Sequence, residues 1–212
     1  TLAGLDSKIR INGDWQDYLL KNKDILMAWV KYNLAGFLQD RNPNVPGILD
    51  KLEKPEKRNL ARVSKYWEVI LIKDHSIRDI YGDIAMSDEK ISIDHFVPWQ
   101  YVASDELWNL SPTTRSINSK KGNHLPVFDT YFRKLAAIEY KAYQVCRNDE
   151  TARTAYNECL EYHVNSDAVR RNLYADDLDE TGFENALREI VKPVYDSAKM
   201  CGFSEWEYSA AI

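Results

Sequence analysis

The chain has 212 residues, 44% of them hydrophobic and 29% charged, with a formal net charge of −5. This is the balance of a folded globular protein with room for a packed core; it excludes compositional disorder and argues against a protein that coats nucleic acid nonspecifically. No apolar run reaches the length of a membrane span and no leader pattern is visible, although the chain opens on Thr1 and its natural start is left open. Cys146, Cys159 and Cys201 form no CxxC pair or zinc-type spacing, so reduced, mostly buried thiols in a cytoplasmic protein are expected.

Charge is uneven. Arg115, Lys120, Lys121, Arg133 and Lys134 face a single acid, Asp129, between residues 115 and 134. Asp176, Asp177, Asp179, Glu180, Glu184 and Glu189 accompany only Arg188 in the stretch from 176 to 189. A local basic patch can hold phosphate on an acidic protein.

Trp15, Tyr18, Leu19, Ile25, Leu26, Trp29, Val30, Leu34, Phe37 and Leu38 recur at three- and four-residue steps and predict helix from 14 to 39, capped by Asn12 or Asp14 and broken near Asn22 to Asp24. Pro43, Pro46 and Gly47 mark a loop over 41–47. Pro55 suits the first turn of a helix over 56–72, with Leu60, Val63, Tyr66, Trp67 and Ile70 inward. Residues 79–84 and 90–94 have alternating character around Ser87-Asp-Glu89 and predict a β-hairpin. An irregular segment with Pro98, Trp99 and Trp108 fills 96–112. A short helix over 113–121 follows, starting at Pro112 or Thr113 and stopped by Gly122. Helical spacing returns over 127–147, 150–163 and 182–200. The expected fold class is α+β, mostly α-helical, in three parts: an N-terminal helical region 1–72, a small strand-strand-helix core 73–126, and a C-terminal helical region 127–212. Trp15, Trp29, Trp67 and Trp206 fit helix cores better than base stacking.

Asp94 and His95 stand together at the end of a predicted strand; Asn109 lies 14 residues after His95, and Asn118 a further 9 residues on. A neutral histidine can take a proton from water near pH 7. Asp and Asn oxygens suit a hard, magnesium-type cation that keeps other positions for water and phosphate. Side chains alternate on a strand, so Asp94 and His95 reach one phosphate only if the strand end bends.

Ile93-Asp-His-Phe-Val-Pro-Trp99, Asp105-Glu-Leu-Trp-Asn-Leu110, Pro112-Thr-Thr-Arg-Ser-Ile-Asn118 and Lys121-Gly-Asn-His-Leu-Pro126 resemble HNH endonucleases, the His-Me finger or ββα-metal class. The spacing is most similar to the HNH domain of RNA-guided CRISPR nucleases. The resemblance covers roughly residues 79–126, and two asparagines at fixed offsets from an Asp-His pair make a chance match roughly one in a thousand or rarer at average residue usage. It implies a ββα-metal unit between helical flanks and hydrolysis of DNA phosphodiester bonds to 5′-phosphate and 3′-hydroxyl ends. His95 would be the general base and Asn109 would fix the loop that orients it. Asp94 and Asn118 would hold a divalent metal, magnesium or alternatively manganese. Arg115, Lys120 and Lys121 would contact nucleic acid, with Lys121 near the phosphate. The final motif position is Asn rather than His, and the paired CxxC motifs of many members are missing, so no structural zinc is expected and packing around Trp99, Trp108 and Leu110 must hold the unit.

The resemblance places such a protein in bacterial or phage defence, restriction or mobile-element biology. Expected partners are DNA and, as a further option, a partner protein or second subunit, with no membrane. Plainer readings compete. Asp94 and His95 could be a surface hydrogen-bonded pair, the asparagines could cap helices, Arg115, Lys120 and Lys121 could be a solvated face, and His124 reads as a loop residue. The alternative function is a non-cleaving nucleic-acid-binding or regulatory protein on the same scaffold. An acidic helical surface that docks a partner protein is a third.

Overall fold

A computed structural model describes residues 11–41, 48, 52, 60–86, 90–162 and 167–209. The expected loop over 41–47, the Pro55 helix start and the Ser87–Glu89 turn lie wholly or mainly outside those residues. The chain divides into two compact units, Thr1–Pro43 and Asn44–Ile212.

The first unit holds α1 (Gly13–Lys21) and α2 (Lys23–Arg41). Asn12 caps α1 by accepting from Asp14 N at 3.2 Å. Asn22 ends it, placing the break where the sequence puts it. Trp15 and Trp29 do not form a helix core: they are 58% and 65% exposed. The physical reason is that α2 carries large apolar residues on every side, Ile25, Met27, Trp29, Val30, Tyr32 and Phe37 among them, so one neighbouring helix cannot cover them all.

In the second unit α3 spans Ala61–Lys73 and buries Val63, Tyr66, Trp67, Ile70 and Leu71 along one face. The strand expected at 90–94 is β1 (Ile91–His95), but its partner is not the segment 79–84. It pairs antiparallel with β2 (Leu110–Thr114), setting Ile93 opposite Pro112, Asp94 opposite Ser111 and His95 opposite Leu110. Residues 79–84 instead form a tight turn closed by Asp79 N donating to Ile84 O at 2.8 Å, with a single bridge between Arg78 and Ala85. The Asp79 carboxylate captures the amides of Tyr81 and Gly82, and Asp83 takes a left-handed φ of 56°, so local turn chemistry overrides the alternating pattern. Pro112 hides β2 in the sequence; it is tolerated because both strands of a two-stranded sheet are edge strands.

Between the strands lie α4 (Trp99–Val102) and a 3-10 turn, Leu107–Asn109. After β2 comes α5 (Arg115–Lys121). Thr114 caps it by accepting from Ile117 N at 3.2 Å. Gly122 ends it at φ 54°, a conformation strained for other residues. Then follow β3 (Leu125–Pro126), α6 (Phe128–Asn148), α7 (Glu150–Tyr162), α8 (Asp167–Leu173) and α9 (Glu180–Met200). A final strand, β4 (Glu205–Trp206), pairs parallel with β3. Trp206 is thus a strand residue packed against Tyr81 and Tyr131, not part of a helix core.

One hydrophobic cluster joins α3, the β1–β2 pair, α6 and α9. Trp108 and Leu110 are buried in it, whereas Trp99 is half-buried. Trp67 Nε1 donates to Leu110 O at 3.1 Å and ties α3 to β2. Cys146 and Cys159 are buried and Cys201 is exposed; burial pushes both buried thiols up to about 12, so they stay protonated. Among the described residues no helix is long and apolar enough to cross a membrane.

Candidate active site

The C-terminal end of β1 carries Asp94 and His95, 3% and 4% exposed. α5 lies along the same strand and is fastened to it at two points. Asn118 Nδ2 donates to Ser92 Oγ and Ile93 O, each at 2.9 Å. Lys121 Nζ donates to His95 O at 2.7 Å and sits 3.1 Å from the Asp94 carboxylate. β1 and α5 therefore bring Asp94, His95, Asn118 and Lys121 into one cluster.

Lys121 departs from its expected place. It is fully buried and serves as the internal counter-charge of Asp94 instead of facing solvent. The cause is register: Lys121 is four residues after the buried Ile117 and shares its inward face. Arg115 and Lys120 point the other way and are exposed.

Asp94 Oδ2 also accepts from Tyr81 Oη at 2.6 Å. Burial, with the adjacent Asp94 charge, pushes the Tyr81 phenol well above its ordinary value, so it remains a donor. Burial also raises the nearby Asp79 carboxyl; hydrogen bonds from Gly82 and Tyr81 amides oppose that rise, and the Asp94 charge adds to it.

His95 Nε2 lies 2.8 Å from Asp105 Oδ1. A carboxylate only accepts, so Nε2 carries the proton and the neutral ring presents its lone pair on Nδ1. Asn109 fixes the loop after His95 from both sides of one residue. Its Oδ1 accepts from Val97 N at 2.7 Å, and its Nδ2 donates to Val97 O at 2.9 Å. Its own carbonyl accepts from Phe96 N at 2.8 Å. His124 stays a loop residue, its Nδ1 bonded to Lys121 O at 2.8 Å.

Residues 79–127 match the family model of the HNH endonucleases. The matched segment runs from the Asp79 turn through β1, β2, α5 and β3 and leaves the helical flanks outside. It supports a nuclease at the level of the family. No curated protein and no solved structure matches the chain.

HNH nucleases generally use a divalent metal. The donor chemistry here fits a hard cation: one carboxylate, Asp94, and one amide oxygen, that of Asn118. Both hydrogen bonds of Asn118 are made by its nitrogen, and among the described residues none engages its oxygen. The Asp94 carboxylate holds two partners but has about four lone-pair positions. Among the described residues no cluster of three or more His, Cys, Asp or Glu side chains could hold a metal, so any cation here would rely on Asn118, water and substrate for its remaining ligands.

Tyr81 and Asp105 are the members of this cluster that sequence reasoning misses. Tyr81 lies in the segment misread as a strand. Asp105 sits ten residues after His95 in an irregular loop, and no periodicity connects the two.

Proposed function

We propose that the chain is a metal-dependent endonuclease that hydrolyses DNA phosphodiester bonds at the cluster of Asp94, His95 and Asn118. The observation that carries this reading is the double attachment of α5 to β1. It sets the Asn118 amide beside the strand that holds Asp94 and His95, inside the segment that matches the HNH family.

In this reading Nδ1 of His95 takes the proton of the attacking water. Asp105 holds the ring in the tautomer that leaves Nδ1 basic and, as an anion, stabilises the positive charge that grows on the imidazole. Asn109 keeps the chain turning at Val97, so that His95 leaves β1 at a fixed angle. Asp94 and the Asn118 oxygen would hold the cation, magnesium or manganese. When bound, it supplies charge stabilisation to the phosphate and the departing oxygen. Tyr81 and Lys121 fix the Asp94 carboxylate by one hydrogen bond and one ion pair. Arg115 and Lys120, exposed on the outer side of α5, are placed to meet the phosphate backbone.

One observation favours a second reading. Asp94 and His95 present almost no surface, and Asp94 already has a cationic partner. A scaffold that binds nucleic acid without cutting would have this property.

Supercoiled plasmid incubated with magnesium, manganese or EDTA separates the two. Nuclease action predicts nicked or linear product with metal and none with EDTA. His95→Ala should abolish the product, and Asp105→Asn should slow it by about 10–100-fold, as for a residue that orients a catalytic group. Wild type that binds plasmid and leaves it intact under both metals would establish the second reading.

A further inference from the structure

A cavity of about 220 Å³ lies in the C-terminal helical layer, lined by residues of α3, α6, α7 and the segment after α8. It is far in sequence from the nuclease cluster and shares no lining residue with it. Glu139 of α6 lines it and is 4% exposed, and its Oε1 has no hydrogen-bond partner among the described residues. Tyr174 Oη, also lining it, is buried and has no hydrogen-bond partner among the described residues. A native interior leaves only a few such atoms, and two of them line this one cavity.

The walls are aromatic. Tyr66 and Tyr156 stand 6.3 Å apart at 48°, and Tyr156 meets Tyr174 edge-on at 5.3 Å. Arg147 and Arg153 line the cavity but are engaged elsewhere. Arg147 pairs with Asp177 at 2.8 Å, and Arg153 donates to Cys146 O at 3.2 Å and to Arg147 O at 2.6 Å. Burial alone accounts for the high Glu139 carboxyl, and no basic group offsets it. The other titratable groups that line it are the Tyr66, Tyr143, Tyr156 and Tyr174 phenols, the Cys146 thiol and, at the rim, Asp176. Arg153, Asn157 and Asp176 are exposed and give a way in.

We propose that this cavity binds a small primary alkylammonium ion, with Glu139 as its counter-ion and the rings of Tyr66, Tyr156 and Tyr174 as its walls. The group left without a partner inside is an acid, whose one available charge is negative, so an anion gains nothing from it and a neutral solute gives it no reason to ionise. A cation gains from the carboxylate and from the tyrosine faces together. Its N–H groups donate to Glu139 Oε1 and to Tyr174 Oη. The volume holds roughly seven waters at about 30 Å³ each, which suits a short-chain amine and not a drug-sized ligand. An alkylammonium that enters drives Glu139 to ionise, so binding releases a proton.

The test is calorimetric titration of the full chain with n-butylammonium chloride at pH 7.5, in two buffers of different ionisation heat. n-Butanol and tetramethylammonium serve as controls. The expected result is saturable binding about tenfold or more tighter than n-butanol, with proton release approaching one per ligand. Glu139→Gln, checked for folding by circular dichroism, should weaken it by about tenfold or more, and Tyr174→Phe by several-fold. Unsaturable heats with wild type, n-butanol binding as tightly, or variants that bind as wild type would each overturn the proposal. Tetramethylammonium binding equal to n-butylammonium would overturn the hydrogen-bonded ammonium, since it has no N–H. None of these outcomes depends on nuclease activity.

Discussion

Replacing Lys121 by methionine separates a phosphate-contacting lysine from an internal counter-charge. Methionine is close to lysine in length and flexibility, so it fills the same fully buried slot without the charge. The substitution strips Asp94 of its ion pair and His95 O of a 2.7 Å hydrogen bond, leaving a 3% exposed carboxylate with Tyr81 alone. Removing one member of a buried pair costs about 3–5 kcal/mol, a large part of the roughly 5–15 kcal/mol that holds a domain folded. At urea m-values of about 1–3 kcal/mol/M the unfolding midpoint should fall by roughly 1–5 M. Tryptophan fluorescence reads the transition through the buried Trp67 and Trp108. Adding Asp94→Asn to Lys121→Met removes the stranded charge and should recover most of the loss. A surface lysine would change stability by no more than about 0.5 kcal/mol. A single-variant loss that small, or a double variant less stable than the single one, would refute the internal-pair argument.

Asn109→Ala should destabilise by about 2–4 kcal/mol, because it strands the N–H and the carbonyl of the buried Val97; urea unfolding measures it. Arg115→Ala with Lys120→Ala should leave stability within about 0.5 kcal/mol, because both side chains are exposed, and should lower the slope of log affinity against log salt for a DNA duplex by about 1 per lost phosphate contact. Burial raises the Glu139 carboxyl well above its ordinary value in the fold, so it holds its proton to higher pH there than in the unfolded chain. Its contribution is therefore fully present below about pH 4.5 and declines as pH rises toward the folded value, by up to about 1.4 kcal/mol per unit. Glu139→Gln should be more stable than wild type at pH 8, with the gap closing as pH falls to 4.5 in thermal melts.

Spacing alone brings Asp94, His95, Asn109 and Asn118 to notice, because the offsets reflect a rigid strand-loop-strand-helix path. The break at Asn22 and the stop at Gly122 are equally legible, since caps and stops are local chemistry; the helix expected from 113 starts at Arg115, because Pro112 to Thr114 complete β2. The failures have a common cause: partners far along the chain. β1 takes its mate from a proline-bearing segment that does not look like a strand. β4 exists only because β3 offers it an edge, and Trp206 follows it. Lys121 was legible in principle, since a lysine four residues after an apolar helix position shares its face. A cluster of charges reads as solvated until that register is drawn. The His95–Asp105 bond has no such signal, because irregular backbone carries no period.

The family match ends at residue 127, yet the matched segment is not held by its own residues alone. Phe96, fully buried next to His95, stands 6.2 Å from Phe128 and 6.3 Å from Tyr195, both outside the match. Tyr195 Oη donates to Pro126 O at 2.9 Å, and Tyr101 Oη donates to Ser197 Oγ at 2.6 Å, so α9 grips the segment on β3 and on α4. Trp67 does the same for β2 from the other flank. A chain without paired CxxC motifs has no structural zinc ligands of that kind to fasten so small a sheet. Here apolar burial from α3, α6 and α9 does so, at about 25 cal/mol for each Å² removed from water. The helices around the cluster are therefore part of what sets the angle at which β1 delivers Asp94 and His95. Changes at Phe128 or Tyr195 should reach the site through Phe96 without touching any residue in it.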